Sequence, residues 1–395
     1  MKLKNLSVAM ILATVPMTGA FAAAMDRSGQ SVSAFLQPGN YAEAGLMVLD
    51  PNVSGKDASI NKANTGDMAS SYHSASAALK LQATDNISVG LLFDQPFGAK
   101  AQYNTSDHNF SGTNPRNGLK EGTNAEVTTE NLTLLVGFQP NANWNFYAGP
   151  VWQQAKGEVH LRGSAYGGLG QAAYDASMKN DDAWGWAAGF AYQIPEIALK
   201  ASLTYRSEIK HSLKTTELAS GQAAALVDGV SQTSVTTPQS INLDFQTGIM
   251  ANTVAFANIR WVNWDGFSIT PNGFHNAIIT TQQNIVSDTL VEYNKDQWTI
   301  NAGVGRKLTE KWGANVSVGW DSGAGNPVST LGPTDGYWSL GIGAQFSPAE
   351  NYFVQAGVKY FWLGDAQGLT ASSKDVGQFK DNHAIGYGLK FGYKF

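Results

Sequence analysis

The residue types that most often do chemistry are thinly spread in this chain. Its six histidines (His73, His108, His160, His211, His275 and His383) include no pair at metal-ligand spacing, and neither G-x-S-x-G nor H-E-x-x-H occurs. With no cysteine, a disulfide framework and a thiolate zinc site are both excluded. The glycine-rich stretch GSAYGGLG, Gly163 to Gly170, lacks the strand–turn–helix setting of a phosphate loop. No metal and no cofactor are expected, and these residues do not favour an enzyme.

What remains is recognition. In LTYRSEIKH a strand period sets Leu203, Tyr205, Ser207 and Ile209 on one face and Arg206, Glu208 and Lys210 on the other. Such charges facing a lumen would either pair and brace it, or offer a cation such as Arg206 to an anionic solute. Two other stretches are apolar where polar loops are expected. LRGSAYGGLGQAAYDASM carries Tyr166, Leu169, Tyr174 and Met178; TELASGQAAALVDGV carries Leu218, Leu226 and Val227, spaced for a short amphipathic helix. Exposed apolar residues need either one another or a hydrophobic ligand, so these form a candidate capture groove. The third feature is LLFDQPFGAKAQYN, residues 91–104, where Pro96 and Gly98 interrupt a well-patterned strand around Phe97. Proline cannot donate to a ladder and glycine weakens a strand interior, so the pair marks an edge, a bulge or a close approach. Both share the parity of Asp94, which places all three on the inner face.

The elements that must position these residues are strands. Counting back from Phe395 in steps of two gives Tyr393, Phe391, Leu389, Tyr387 and Ile385, while the alternate positions are small or charged. Period two puts one face against apolar surroundings and the other against water or a plug. The same alternation runs through Trp312–Trp320, Trp338–Phe346, Tyr352–Trp362 and Trp184–Tyr192, with aromatics at both ends and aliphatics between. That is the signature of a lipid-facing band between two aromatic girdles. About fourteen strands are predicted, near 41–54, 71–83, 87–103, 126–139, 144–160, 183–193, 197–212, 240–251, 253–267, 292–308, 312–322, 336–346, 351–363 and 383–395. Short turns alternate with long loops near 55–70, 104–125, 161–182, 213–239, 268–291, 323–335 and 364–382. Together they predict an all-β protein, a transmembrane antiparallel β-barrel.

The ends and the bulk composition agree. Lys2 and Lys4 precede an apolar stretch to Phe21, and small residues follow, so residues 1–22 read as a signal peptide cleaved within 22–24. No later run of 18 apolar residues predicts a membrane helix. Charged residues are 14%, and the chain holds 42 glycines, 11 Trp, 14 Tyr and 18 Phe, which suits an outer-membrane barrel. A net charge of −5 predicts no nucleic-acid partner.

Several stretches resemble the FadL-type outer-membrane transporters of long-chain fatty acids and other hydrophobic compounds, the OmpP1/FadL/TodX family. They are LDPNVSG (49–55), WGWAAGFAYQI (184–194) with LTYRSEIKHSLK (203–214), YNKDQWTINAGVGRKLTEKW (293–312), WSLGIGAQF (338–346) and FVQAGVKYFWL (353–363). The resemblance implies a fourteen-stranded monomeric barrel, residues 41–395, with an N-terminal hatch in its lumen, here the short segment 23–40. It implies capture by the two apolar outer loops and passive, lateral release through an inward kink of the third strand, where Phe97-Gly98 matches the family's kink glycine. It further implies that Lys295 in YNKDQW meets the ligand carboxylate; a family arginine falls on Val159, with Arg162 the nearest substitute. The expected substrate is a long-chain fatty acid, or alternatively an aromatic hydrocarbon, and the expected surroundings are outer-membrane lipid and lipopolysaccharide. The rival class is a non-transporting barrel, either an adhesin or a lipid-modifying enzyme; a water-filled porin fits the apolar loops poorly.

Overall fold

The computed structural model describes residues 24–281 and 285–395, so the expected signal peptide (1–22) lies outside the described residues. Period-two alternation builds one large antiparallel sheet. Its first strand (Tyr41–Asn52) pairs with the second (Tyr72–Gln82) on one side and with the last (His383–Lys394) on the other. Tyr41 lies opposite Lys394 and Asn52 opposite His383, so the sheet closes into a barrel. Closure is what lipid demands, because hydrocarbon offers an open edge no hydrogen-bond partners.

Fourteen strands span this barrel. The third runs Ile87–Asp94 and resumes at Gly98–Gln102; the fourth is Asn124–Phe138 and the fifth Trp144–Leu161. The sixth is Tyr174–Ile194. The seventh runs Leu199–Arg206 and resumes at Ile209–Leu218; the eighth runs Gly229–Thr237 and resumes at Ser240–Met250. The rest are Thr253–Val262, Gln297–Lys307, Trp312–Asp321, Tyr337–Ala349, Tyr352–Leu363 and the last strand. Outward positions such as Leu46, Leu91, Leu134, Val318 and Ile342 are exposed, as lipid-facing groups must be. Trp184, Trp298, Trp338 and Trp362 mark the loop-side girdle, and Trp144 and Trp312 the turn-side one.

Three strands run further than their alternation predicts. The sixth begins at Tyr174 instead of 183, the seventh reaches Leu218, and the eighth starts at Gly229 instead of 240. Tyr174, Met178 and Leu218 therefore sit on strands, not in loops. The added lengths carry polar outward residues, Lys179, Asn180, Asp182 and Lys214. Above the girdle an outward side chain meets water, so the apolar half of the alternation that signals a strand disappears. A second correction concerns LTYRSEIKH. The seventh strand breaks at Ser207-Glu208 and its parity flips there, so Arg206 and Ile209 point inward while Glu208 and Lys210 are exposed. No inner charge ladder forms.

Candidate transport path

Residues 24–40 lie inside the barrel and are anchored at three levels. At the lowest, Lys80 Nζ donates to the Gln37 carbonyl and Lys200 Nζ to the Leu36 carbonyl, both at 2.7 Å. Above them Phe35 is buried among Leu92, Leu135, Tyr147 and Val151, its ring edge-on to Tyr147 at 5.6 Å. Glycines make that room: a Cβ on Gly90 would stand 2.3 Å from the Phe35 ring, and one on Gly137 2.8 Å. At the third level Asp26 accepts from Arg260 Nε at 2.6 Å, with both groups buried. Arg260 also donates to Asn242 Oδ1 (2.8 Å) and Gln30 Oε1 (3.0 Å), and Asn242 donates to the Gly29 carbonyl. Losing one partner of such a pair costs about 3–5 kcal/mol, so this ring holds the segment in place.

Beside this ring the backbone ladder of the wall is interrupted. Ala77 pairs with Phe93, and Ala69 bridges to Ala101, but between those points residues 70–76 and 94–100 form no ladder with each other. Within this window the Ala75 amide turns to the Gln95 side chain (3.1 Å). Pro96 is the cause on one side, having no N–H to give. The N-terminal segment supplies the missing partners: Arg27 N donates to the Pro96 carbonyl (2.6 Å) and Gly98 N to the Met25 carbonyl (2.8 Å).

Residues 95–97 oppose only two residues of the fourth strand, because Asp94 pairs with Asn131 and Gly98 with Thr128. That extra residue flips the pleat. Phe97, Ala99 and Ala101 turn to the core, and Gly98 shares the outward face of Lys100, which meets exposed Glu126. The expectation that Gly98 faces inward like Asp94 is thereby corrected. The missing side chain makes room for Arg27, whose guanidinium would lie 2.7 Å from a Cβ on Gly98. The same guanidinium stacks on the Tyr72 ring at 3.7 Å, so Arg27 bridges the window from one strand to the other.

Above the window lies a small apolar cavity of about 30 Å³. Met25 and Ala99 form its floor beside the break, with Val127, Val159, Met178 and Ile269 around it; Glu158 is the one charged residue lining it. Over it the outer loops close into a core. Tyr166, Leu169, Tyr174, Met178 and Val227 are buried in one cluster, Leu226 packs against it, and Leu218 stays exposed. Six of the seven expected groove residues thus come together, packed upon each other. Burial pushes the Tyr166 hydroxyl up to about 12, so it remains a neutral phenol, 3.0 Å from Thr330 Oγ1. The helix Asn272–Thr281 seals the roof. Its first amides, Gly273 and Phe274, donate to Glu217 at 2.8 Å, and Tyr174 donates to the same carboxylate. Pro271, Phe274, Ala277 and Ile278 carry a helical spacing that marks this element in the sequence.

The three cations expected at a ligand carboxylate share no partner. Arg162 is buried and held by Glu121 (2.7 Å) and Asp175 (2.8 Å). Lys295 is exposed in an outer loop and acts electrostatically on Asp335. Arg206 is inside the lumen, donating to Thr133 Oγ1 (3.0 Å) and the Gln30 carbonyl (3.4 Å). Among the described residues no cluster of His, Asp and Glu could hold a metal.

The model of the outer-membrane transport proteins OMPP1/FadL/TodX matches residues 25–395. The chain belongs to this family. Its members are hydrophobic-compound transport channels of the bacterial outer membrane, not enzymes, and that describes this chain too. Solved structures share the fold. A Pseudomonas aeruginosa FadL homologue superposes with a TM-score of 0.70 at 16% identity, covering 97% of this chain and 98% of that one. The Pseudomonas putida toluene transporter TodX gives 0.65 at 14%, covering 95% and 98%. The Ralstonia pickettii toluene transporter TbuX gives 0.61 at 12%, covering 99% and 100%. No curated sequence matches this FadL-family chain.

Proposed function

We propose that this channel takes up small neutral hydrophobic molecules, passing them from the outer cap through the apolar cavity and sideways through the window in the third strand. The observation that carries this reading is the lining of that cavity. It is apolar, it has Val159 where the family resemblance implies an arginine, and it contains no lysine or arginine. A carboxylate placed there would lose its hydration without gaining a cation, which costs several kcal/mol; a hydrocarbon loses nothing. Met25 and Met178 line the cavity, and unbranched thioethers repack readily around an entering molecule. The toluene transporters TodX and TbuX, which share this fold, support the same substrate class.

Lateral release follows from the direction of the break. Below the cavity the lumen is crossed by the buried polar ring around Asp26, Arg260 and Asn242, which an apolar molecule would have to desolvate. The window opens instead toward lipid. The experiment is accumulation of radiolabelled toluene and of oleate by cells lacking their own channels and expressing this protein. Toluene uptake above vector background is expected, with oleate slower. Oleate uptake equal to or faster than toluene would overturn the neutral preference in favour of the fatty-acid reading. Filling the break with Gly98→Val should depress uptake in a barrel that still folds, since the new side chain meets the Val127 carbonyl at 2.7 Å as well as Arg27. Unchanged uptake by that variant would reduce the break to an ordinary bulge.

A further inference from the structure

The outer cap is packed shut over the upper cavity, so a molecule reaches that cavity only when part of the cap moves. Several cap loops are cross-tied. Tyr103 donates to the Thr330 carbonyl and Thr370 to the Ala165 carbonyl, both at 2.8 Å. Gly55–Asp57, Ala366–Leu369 and Gly377–Phe379 share one small sheet. The roof helix Asn272–Thr281 lies outside that sheet, on a stem of two short strands, Ser268–Ile269 paired with Val291–Glu292.

Below the stem the chain is fixed. Trp264 is fully buried and its Nε1 donates to Gln297 Oε1 at 2.7 Å. The rings of Phe267, Tyr293 and Phe97 stand edge-on to it at 4.9, 5.1 and 5.5 Å. A two-pair ladder above so rigid a base is the natural place for a hinge. Ile269, Leu290 and Val291 in the stem line the upper cavity, so displacing the stem opens the cavity wall.

The far end of the helix is held by one carboxylate. Glu217 is 2% exposed and belongs to the seventh strand, paired there with Gly229 and Ala176. Its donors are neutral: the Gly273 and Phe274 amides and the Tyr174 hydroxyl at 2.8 Å, and the Ser231 hydroxyl at 3.3 Å. A Cβ on Gly273 would stand 2.9 Å from Glu217 Oε1, so the glycine lets the helix start this close. Negative charge at a helix N-terminus is stabilising, yet water can replace amide donors once the helix lifts. The tie beyond the helix, Val286 N to the Ala371 carbonyl at 3.1 Å, carries no charge. Beneath the helix Phe274, Ala277 and Ile278 are buried, while Asn276, Ile279 and Thr280 face outward.

We infer that the helix Asn272–Thr281 is the entry lid of the channel, hinged at its two-stranded stem and latched by Glu217. Lifting its first turn breaks the two amide bonds, hydrates the carboxylate and uncovers the apolar cavity from the outside. The inference rests on the reading of that cavity as part of the transport path.

The chain has no cysteine, so one introduced thiol reports the lid cleanly. Ile278→Cys places it beneath the helix, and Val376→Cys places a control in the same buried cap on another loop. Cells expressing the full chain are treated with a sulfonated maleimide, and toluene uptake is measured in parallel. Glu217→Gln should speed labelling at position 278 about tenfold, the margin of a charged over a neutral hydrogen bond. Labelling at 376 should stay slow and toluene uptake should rise severalfold, with Glu217→Asp in between. Unchanged labelling at 278 would overturn the inference. An equal rise at 376 would too, since Glu217 would then brace the whole cap. So would faster labelling without faster uptake. Should Glu217→Gln not fold, hydrogen exchange in the unaltered protein decides. Amides of the helix should exchange together and ahead of Val376, which donates to the Gly368 carbonyl at 3.0 Å; exchange no faster than Val376 would mean a fixed roof. An unaltered protein that takes up no toluene sinks the transport reading, while labelling at 278 still shows whether the helix lifts.

Discussion

At the scale of single residues, Arg27 has the most to say about gating. Its side chain crosses the window between Tyr72 and Gly98. A desolvated cation–π contact is worth up to about 2 kcal/mol, enough to bias a small segment without locking it. Arg27→Ala should therefore speed uptake of a neutral hydrophobe severalfold while the barrel keeps its heat-modifiable migration; slower uptake would mean that Arg27 guides substrate and does not restrain it. His108, in the loop after the third strand, predicts a pH effect. Its Nδ1 accepts from the Phe110 amide (3.2 Å), and burial pushes its pKa below the ordinary value. A base whose folded value is depressed contributes fully above the ordinary value of about 6.5 and loses that contribution as pH falls below it. The protection factor of the Phe110 amide, the exchange rate corrected for its intrinsic pH dependence, should fall on acidification, and His108→Gln should flatten that fall; the Phe110 ring stacks on Tyr103 at 4.6 Å.

At the scale of elements, the N-terminal segment is coupled to the wall through glycines. Phe35 occupies space that side chains at positions 90 and 137 would take. Gly90→Val should displace Phe35 and loosen the segment while leaving the barrel intact. The expected readout is a larger single-channel ion conductance in planar bilayers than the unaltered protein shows; equal conductance would mean that residues 24–40 do not limit ion flow. None of these couplings shows in local sequence. Pro96 and Gly98 announced a break, because proline removes a donor wherever it falls. Nothing nearby announced that Met25 and Arg27 would supply the missing hydrogen bonds. The upper parts of the sixth to eighth strands were equally silent, since outside lipid an outward lysine reads like a loop residue.

At the scale of the whole molecule, the hydrocarbon band sets stability. Ile342 lies midway between Trp338 and Phe346 and is 64% exposed to what lipid covers. Ile342→Lys should destabilise the barrel by about 2–4 kcal/mol, whereas Ser212→Lys, above the girdle, should cost almost nothing. Equilibrium urea unfolding in lipid vesicles measures both.

Periodicity determined most of this protein by itself. Alternation, girdles and turn spacing led to fourteen strands and a closed barrel, because lipid allows a spanning sheet no other way to satisfy its backbone. The position of the break in the third strand was legible for the same local reason. Only the tertiary structure decided which way Gly98 faces, since one extra residue in a bulge reverses every pleat after it. The fates of Arg162, Lys295 and Arg206 were likewise decided there. Whether a cation pairs, faces water or waits in a cavity depends on carboxylates and carbonyls far away in the chain, and no spacing within the sequence records those distances.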